Sequence, residues 1–265
     1  MPNNFSGKII LVTGASSGIG KATAKHFAED GARVAIMART IAKLESLRAE
    51  CPIPDNVLVI GGDVSVEADC KRCIQAIVAK WGGLDAVIHN AGVSMRGSAE
   101  ETEVQVFQSL MEVNYYSLVY MYKHSVSSLR DRRGHFVSVS SMMGKYSTQL
   151  RAGYTASKHA MVGFMDSVRL ELSEAGVHVM TVIPGFVNTD VAQNAFAPSG
   201  NRHGVHDQAI LAGLPPERVA QDIYNGMKSR KREAVSSHFK ERFALFLSKW
   251  SPSLLDRLLL KIKVT

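Results

Sequence analysis

The sequence predicts a doubly wound α/β domain, a parallel sheet with helices on both faces, from three observations. Short apolar runs alternate with helix-length segments from the first residues onward. The runs are continuous in Val, Ile and similar residues rather than alternating with polar ones, as in strands buried on both faces. The first run also passes through a glycine-rich turn straight into a helical pattern, which is how a βαβ unit begins.

Residues 8–13 supply the first strand, the turn at 13–20 leads into a helix that ends at Asp30 with Gly31 as its stop, and 33–38 is the second strand. Apolar runs at 57–60, 84–89, 135–139 and 177–183 predict four more strands, separated by helix-length segments, so the architecture is Rossmann-type. With 265 residues, 46% hydrophobic and 21% charged, the chain can bury one sizeable core and is too apolar for disorder. It has no internal repeat, low-complexity stretch or dividing linker, so residues 1–265 read as a single domain. The segment 186–216 breaks the rhythm, with Gly200, Gly204 and Gly213 among mixed residues; a loop this long predicts a lid that selects substrate. In the segment 238–265, Phe239, Phe243, Phe246, Leu247 and Trp250 fall at helical spacing. Ser251-Pro252 resets the chain, and Leu254, Leu255, Leu258, Leu259 and Ile262 form a second stripe.

Composition excludes several classes. The longest apolar candidate for a membrane span, 175–189, falls short of the roughly 18 residues needed and is broken by Pro184 and Gly185. The N-terminus shows neither the basic region nor the cleavage site of a signal peptide, so a cytoplasmic protein is expected. Cys51, Cys70 and Cys73 are too few for a disulfide scaffold, and the C-x-x-C at 70–73 lies inside the helical pattern 66–80, where packing cysteines are expected. The net charge of +7 comes from residues 228–265, which hold ten Lys or Arg against three Asp or Glu. No nucleic-acid-reading motif accompanies that charge, so no nucleic-acid partner is expected. His203 and His206 in the lid are three residues apart and read as surface or substrate-contacting groups, so no metal is expected.

The chemistry begins at Thr13-Gly14-Ala15-Ser16-Ser17-Gly18-Ile19-Gly20. A glycine-rich turn between strand and helix presents backbone N–H groups and a positive helix end to a pyrophosphate. About 20 residues on, where a carboxylate would meet a ribose 2′-hydroxyl, Arg39-Thr40 stands instead. A guanidinium suits a 2′-phosphate, so NADP(H) is favoured over NAD(H).

Tyr154 and Lys158 are one turn apart on one helix face. A nearby ammonium favours phenolate; moving a tyrosine from about 10 toward about 7 takes roughly 4 kcal/mol, after which it could act as acid or base near neutrality. Ser140-Ser141 ends the strand 135–139, where hydroxyls face the ligand crevice of such sheets.

With these motifs in this order, the chain resembles the short-chain dehydrogenase/reductase family over nearly its whole length. The matching residues are 13–20, Asp63-Val64, Asn90-Ala91-Gly92, Asn114 in Val-Asn-Tyr-Tyr, Ser141, Tyr154 with Lys158, and Pro184-Gly185 followed by Thr189. The resemblance implies that Tyr154 is the general acid in reduction, that Ser141 positions the substrate oxygen, and that Lys158 binds the nicotinamide ribose while lowering the Tyr154 pKa. It implies that Asn114 supports a proton-relaying water chain and that the turn residues Gly14, Ser16, Ser17, Gly18, Ile19 and Gly20 hold the cofactor. By the same resemblance Asp63 and Val64 meet adenine, Asn90, Ala91 and Gly92 line the cofactor, and Thr189 touches the nicotinamide amide, with Pro184, Gly185 and Val187 beside it. Two features depart from the pattern. Ser17 stands where many NADP-using relatives place a basic residue, and no proline lies between Ser141 and Tyr154.

The expected activity is hydride transfer between NADP(H) and a carbonyl or secondary alcohol of an apolar substrate of lipid, steroid or 3-oxoacyl type. A nucleotide-bound scaffold or sensor without turnover, and an NAD-dependent alcohol dehydrogenase, are the alternatives. The basic tail covers the core, the pocket or a partner subunit, or it meets a membrane surface through its cations and aromatic stripe. Tail, lid and residues 184–189 together resemble the lipid- and steroid-directed branch that contains the mammalian dehydrogenase/reductase member-seven proteins. Family habit implies a homodimer or homotetramer paired through the helices that carry Asn114 and Tyr154.

Overall fold

The computed structural model describes residues 4–191, 193–204 and 208–261. Val205, His206 and Asp207 of the histidine-bearing lid segment, and Ile262 of the second leucine stripe, lie outside the described residues.

Seven parallel strands form one sheet in the order β3-β2-β1-β4-β5-β6-β7. They are β1 Ile9–Thr13, β2 Arg33–Ala38, β3 Val57–Gly61, β4 Ala86–His89, β5 His135–Val139, β6 His178–Pro184 and β7 Glu233–Ser236. The Rossmann-type doubly wound sheet expected from the apolar runs is present, with helices on both faces, and the first six strands lie where the runs predict them.

The unbroken apolarity of β1 has a direct cause. Ile10 and Val12 point into a core with Phe27 of helix α1 (Gly18–Glu29), Leu44 of α2 (Ile41–Glu50) and Ile223 of α8 (Pro216–Lys228). Ile9 and Leu11 point the other way, into a core with Ile77 of α3 (Glu67–Trp81), Met121 of α5 (Ser117–Asp131) and Met165 of α6 (Ala152–Glu171). Helix α4 (Val104–Met111) runs through a wide π-helical turn, Glu112–Tyr116, into α5. Cys70 and Cys73 are buried in α3, where desolvation pushes both thiols up to about 12, away from any nucleophilic or metal-binding use near neutrality.

The sequence reading missed β7. Its four residues alternate in burial, and it closes the sheet edge beside β6, pairing Ile183 with Val235. A short edge strand has no continuous apolar run to announce it. The described residues of the segment 186–216 make defined contacts. Val187 bridges Leu214, Phe196 bridges Met95 and Arg202, and a short helix α7 (Gln208–Leu211) lies within it. The chain closes with two helices, α9 (Phe239–Trp250) and α10 (Pro252–Leu259), where the aromatic and leucine stripes place them.

Strand order reverses between β1 and β4, and the crevice at the carboxyl ends of these strands is where such sheets hold ligands. A cavity of about 1330 Å³ opens there.

Candidate active site

The floor of the cavity at its β1 end is the glycine turn. Gly14 and Gly18 adopt left-handed backbone conformations, φ +65° and +51°. A Cβ on Gly20 would stand 2.5 Å from Asn90 Nδ2 and closer still to the Gly14 carbonyl, so the turn must be bare. Asn90 ties β4 to this turn: its amide Nδ2 donates to the carbonyls of Thr13 at 3.0 Å and Gly14 at 3.3 Å. The backbone N–H groups of Asn90 and Ala91 both donate to Thr13 Oγ1 at 3.1 Å. Helix α1 begins on this turn without an acidic residue in its first turn and without a side-chain cap, which leaves its positive end toward the cavity. Gly14, Ser16, Ser17, Gly18 and Ile19 line the cavity, and Gly20 packs behind them.

At the outer end, Arg39, Thr40, Asp63 and Val64 line the wall as the sequence predicts. The Arg39 guanidinium is exposed and stands 3.9 Å from the Asp63 carboxylate, a loose pair that leaves it free to turn toward another anion. Lys43, four residues beyond Arg39 on helix α2, lines the same end. The sequence reading missed it, although its spacing from Arg39 is a signal it could have used.

At the inner end stand Ser141, Tyr154 and Lys158. Ser141 caps a tight turn after β5, its Oγ accepting from Met143 N at 3.2 Å, and its side chain hydrogen-bonds the Tyr154 phenol. Ser140 is a different case, buried and directed at the Lys158 carbonyl at 3.3 Å, so only the second serine faces the phenol. Lys158 is buried, and its Nζ donates to the Val139 carbonyl at 3.0 Å while lying 5.7 Å from the centre of the Tyr154 ring. Desolvation pushes its ammonium down to about 7.

Burial pushes the Tyr154 phenol up, and what pulls it back is the Ser141 hydrogen bond and the charge of Arg151. The Lys158 ammonium is held over the ring face by the β5 carbonyl. Arg151, at the start of α6, and Arg96 also line the cavity, and each lies in the other's field: burial and Arg151 push Arg96 down to about 10. Neither arginine was anticipated; Arg151, three residues before Tyr154 at a helix start, could have been found from spacing.

Asn114 sits in the π-helical turn, fully buried behind the cavity wall. Its Oδ1 accepts from Val93 N at 2.9 Å, and its Nδ2 donates to Val93 O at 3.0 Å and Ser157 Oγ at 2.8 Å. It therefore fixes the 90–93 segment against helix α6. Gly92 packs between the Asn114 amide and the Lys158 ammonium, which links the three positions. Pro184, Gly185, Val187 and Thr189 line the far wall, where Thr189 reaches back so closely that a Cβ on Gly18 would stand 2.8 Å from its methyl group. Among the described residues no cluster of three His, Cys, Asp or Glu could hold a metal ion.

This arrangement has counterparts in known proteins. Residues 8–199 match the family model for short chain dehydrogenase. The chain belongs to the short-chain dehydrogenase family. It is an oxidoreductase family, and over 257 residues this member is 32% identical to the Mus musculus "Dehydrogenase/reductase SDR family member 7B", covering 95% of this chain and 80% of the relative. Similar solved structures show the same fold. A short-chain dehydrogenase/reductase from Burkholderia phymatum in complex with NAD superimposes with a TM-score of 0.83 at 22% identity, covering 94% of this chain and 95% of the other. An alcohol dehydrogenase from Thermococcus sibiricus complexed with 5-hydroxy-NADP gives 0.76 at 23% identity, covering 88% and 97%. In this short-chain dehydrogenase, then, the glycine turn, the serine-tyrosine-lysine cluster and the segment 184–189 surround a single cavity.

Proposed function

We propose that this short-chain dehydrogenase is an NADP(H)-dependent oxidoreductase acting on a carbonyl or secondary alcohol of an apolar compound, with Tyr154 as the proton donor and acceptor. The observation that carries the reading is the meeting of Tyr154, Ser141 and Lys158 at the inner end of the cavity whose floor is the glycine turn. The chain's residues fit a dinucleotide on structural grounds: a side chain on Gly14 or Gly20 would strike the 90–91 segment behind the turn, so only a bare turn keeps this tight shape, and the α1 end offers N–H groups for a pyrophosphate. NADP(H), when bound, supplies or accepts the hydride at its nicotinamide ring.

Each protein group then has a stated task. Ser141 holds the substrate oxygen beside the Tyr154 hydroxyl, and Tyr154 Oη gives its proton to that oxygen in reduction or takes it in oxidation. Lys158 Nζ, anchored on Val139 O, is placed to hold a ribose hydroxyl, and its lowered pKa makes it able to pass a proton near neutrality. Asn114 positions the segment that faces Lys158. Arg39, Thr40 and Lys43 would hold a 2′-phosphate at the open end. Similar structures hold an NADP derivative in one case and NAD in another, so the 2′-phosphate preference rests on these side chains. Met142, Met143, Phe186, Phe196 and Ile210 line the remaining space, which favours an apolar substrate body, and Arg96 and Arg151 supply polarity near the phenol. The reading places the enzyme in the cytosol, as a homodimer or homotetramer joined through α6 and the helical segment that carries Asn114, with its basic C-terminal helices available to a membrane.

Calorimetric titration with NADPH and NADH tests cofactor choice. NADPH should bind more tightly, and Arg39→Ala should weaken NADPH about tenfold while leaving NADH unchanged. Equal weakening of both, or tighter NADH binding, would refute the assignment of Arg39.

A further inference from the structure

The C-terminal hairpin has two faces with different surroundings. On the inner face of α9, Leu245 packs on the cluster of Met142, Met143 and Ile183, and Ala244 lines the cavity together with Leu259 of α10. On the outer face, Phe239, Phe243, Phe246 and Trp250 fall at intervals of four, three and four residues on one stripe, and all four are exposed, from 49% at Phe243 to 81% at Phe239. Two ring pairs form within the stripe itself, Phe239 stacked on Phe243 and Phe246 tilted against Trp250, with ring centres 6.5 Å and 6.3 Å apart. Leu254, Leu258 and Leu260 extend the exposed apolar surface along α10. An aromatic face of this kind left in water marks an interaction site.

We infer that this hairpin is the docking face for an anionic lipid bilayer and that the substrate cavity opens beside it, so that an apolar carbonyl compound enters from the lipid. The inference rests on the proposed carbonyl substrate only for its second half. Charge selects the occupant. Lys240, Arg242, Lys249, Arg257 and Lys261 surround the stripe against two carboxylates, Glu241 and Asp256, and Glu241 is already engaged inside the protein. A second copy would bring one basic face onto another, whereas anionic headgroups complement it, each cation near the surface strengthening binding about fivefold. Amphipathic helices with aromatic residues on one face and Lys or Arg beside them lie in the headgroup plane, and no helix among the described residues is long and apolar enough to cross a membrane.

Glu241 connects this surface to the reaction site. One of its carboxylate oxygens accepts from Phe186 N and the other from His238 N, each at 2.7 Å, and the group lies against Gly185. The first turn of α9 is thereby fastened to the segment that carries Val187 and Thr189. A shift of the hairpin on a bilayer would move the wall formed by His238, Phe239, Lys240 and Phe186.

The test uses the full chain with phosphatidylcholine vesicles, with and without phosphatidylserine, read by flotation and, in a Trp81→Phe background that leaves one tryptophan, by the emission of Trp250. The wild type should float with the phosphatidylserine vesicles, with a blue-shifted emission, and bind the neutral ones at least about tenfold more weakly. The double variant Phe246→Glu, Trp250→Glu should stay unbound, keep its NADPH affinity and its turnover of a water-soluble ketone, and lose most of its turnover of a ketone dissolved in the bilayer. A wild type that does not float, a variant that floats equally, or a variant whose light-scattering mass drops to a smaller oligomer would overturn the docking. Unchanged turnover of the bilayer-dissolved ketone would overturn lipid-side entry. An enzyme inactive on every ketone contradicts the oxidoreductase reading instead, because flotation and emission decide docking without turnover.

Discussion

The glycine turn and the C-terminal hairpin both border the cavity, yet their residues are constrained in opposite ways. In the turn, backbone meets backbone: a single Cβ at Gly20 collides with the Gly14 carbonyl and the Asn90 amide, so residue identity is dictated by space. In the hairpin, Leu247 and Leu255 are the buried anchors, while the aromatic stripe is exposed and its rings pair with one another. The first region is shaped by what it must let in, the second by what it presents outward. Aromatic residues on the hairpin are therefore unexplained by folding, whereas glycines in the turn are explained by close approach alone.

The largest contrast should come from adding a methyl group to the turn. Gly20→Ala should lower NADPH affinity by about a hundredfold or more and destabilise the fold by about 1–3 kcal/mol, because the turn cannot relax without moving Asn90. Calorimetry and thermal melting check both; unchanged affinity would mean that the turn has slack the geometry does not show.

Lys158 sharpens the comparison from inside the site. Its folded pKa of about 7 lies below the value of an unfolded lysine, so the unfolded chain binds more protons between the two and stability rises with pH through that window. The cost of burying the ammonium is fully present below about 7. Lys158→Met should abolish turnover, and its melting temperature relative to wild type should be most favourable near pH 6 and lose that advantage toward pH 10. A stability difference that does not change with pH would show that the ammonium is not buried at a cost. The smallest effect belongs to the hairpin surface: Trp250→Ser should change the stability of the soluble protein by no more than about 0.5 kcal/mol. A larger loss in melting experiments would mean that the stripe packs against protein in solution.

The same division governs what was legible in the sequence. β1, the turn and the Tyr154-Lys158 pair declare themselves because the constraint is local: a doubly buried strand must be continuously apolar, and two residues one helical turn apart share a face. Strand β7 does not, because four alternating edge residues carry little hydrophobic signal. Arg96 and Arg151 come to the cavity from separate elements, and only folding brings Arg151 close enough to act on the phenol. Asn114 takes its expected part in proton relay from family resemblance alone, and the pairing of its amide with Val93 and Ser157 is a long-range contact that spacing does not encode.

The most direct test of the central claim is NADPH oxidation by wild type and Tyr154→Phe, followed by absorbance across a panel of apolar ketones, with NADPH affinity measured in parallel. The account predicts that the variant binds NADPH like the wild type and loses between about a hundredfold and ten-thousandfold in turnover. A variant that keeps its rate would contradict the assignment of Tyr154 as the proton-transferring group.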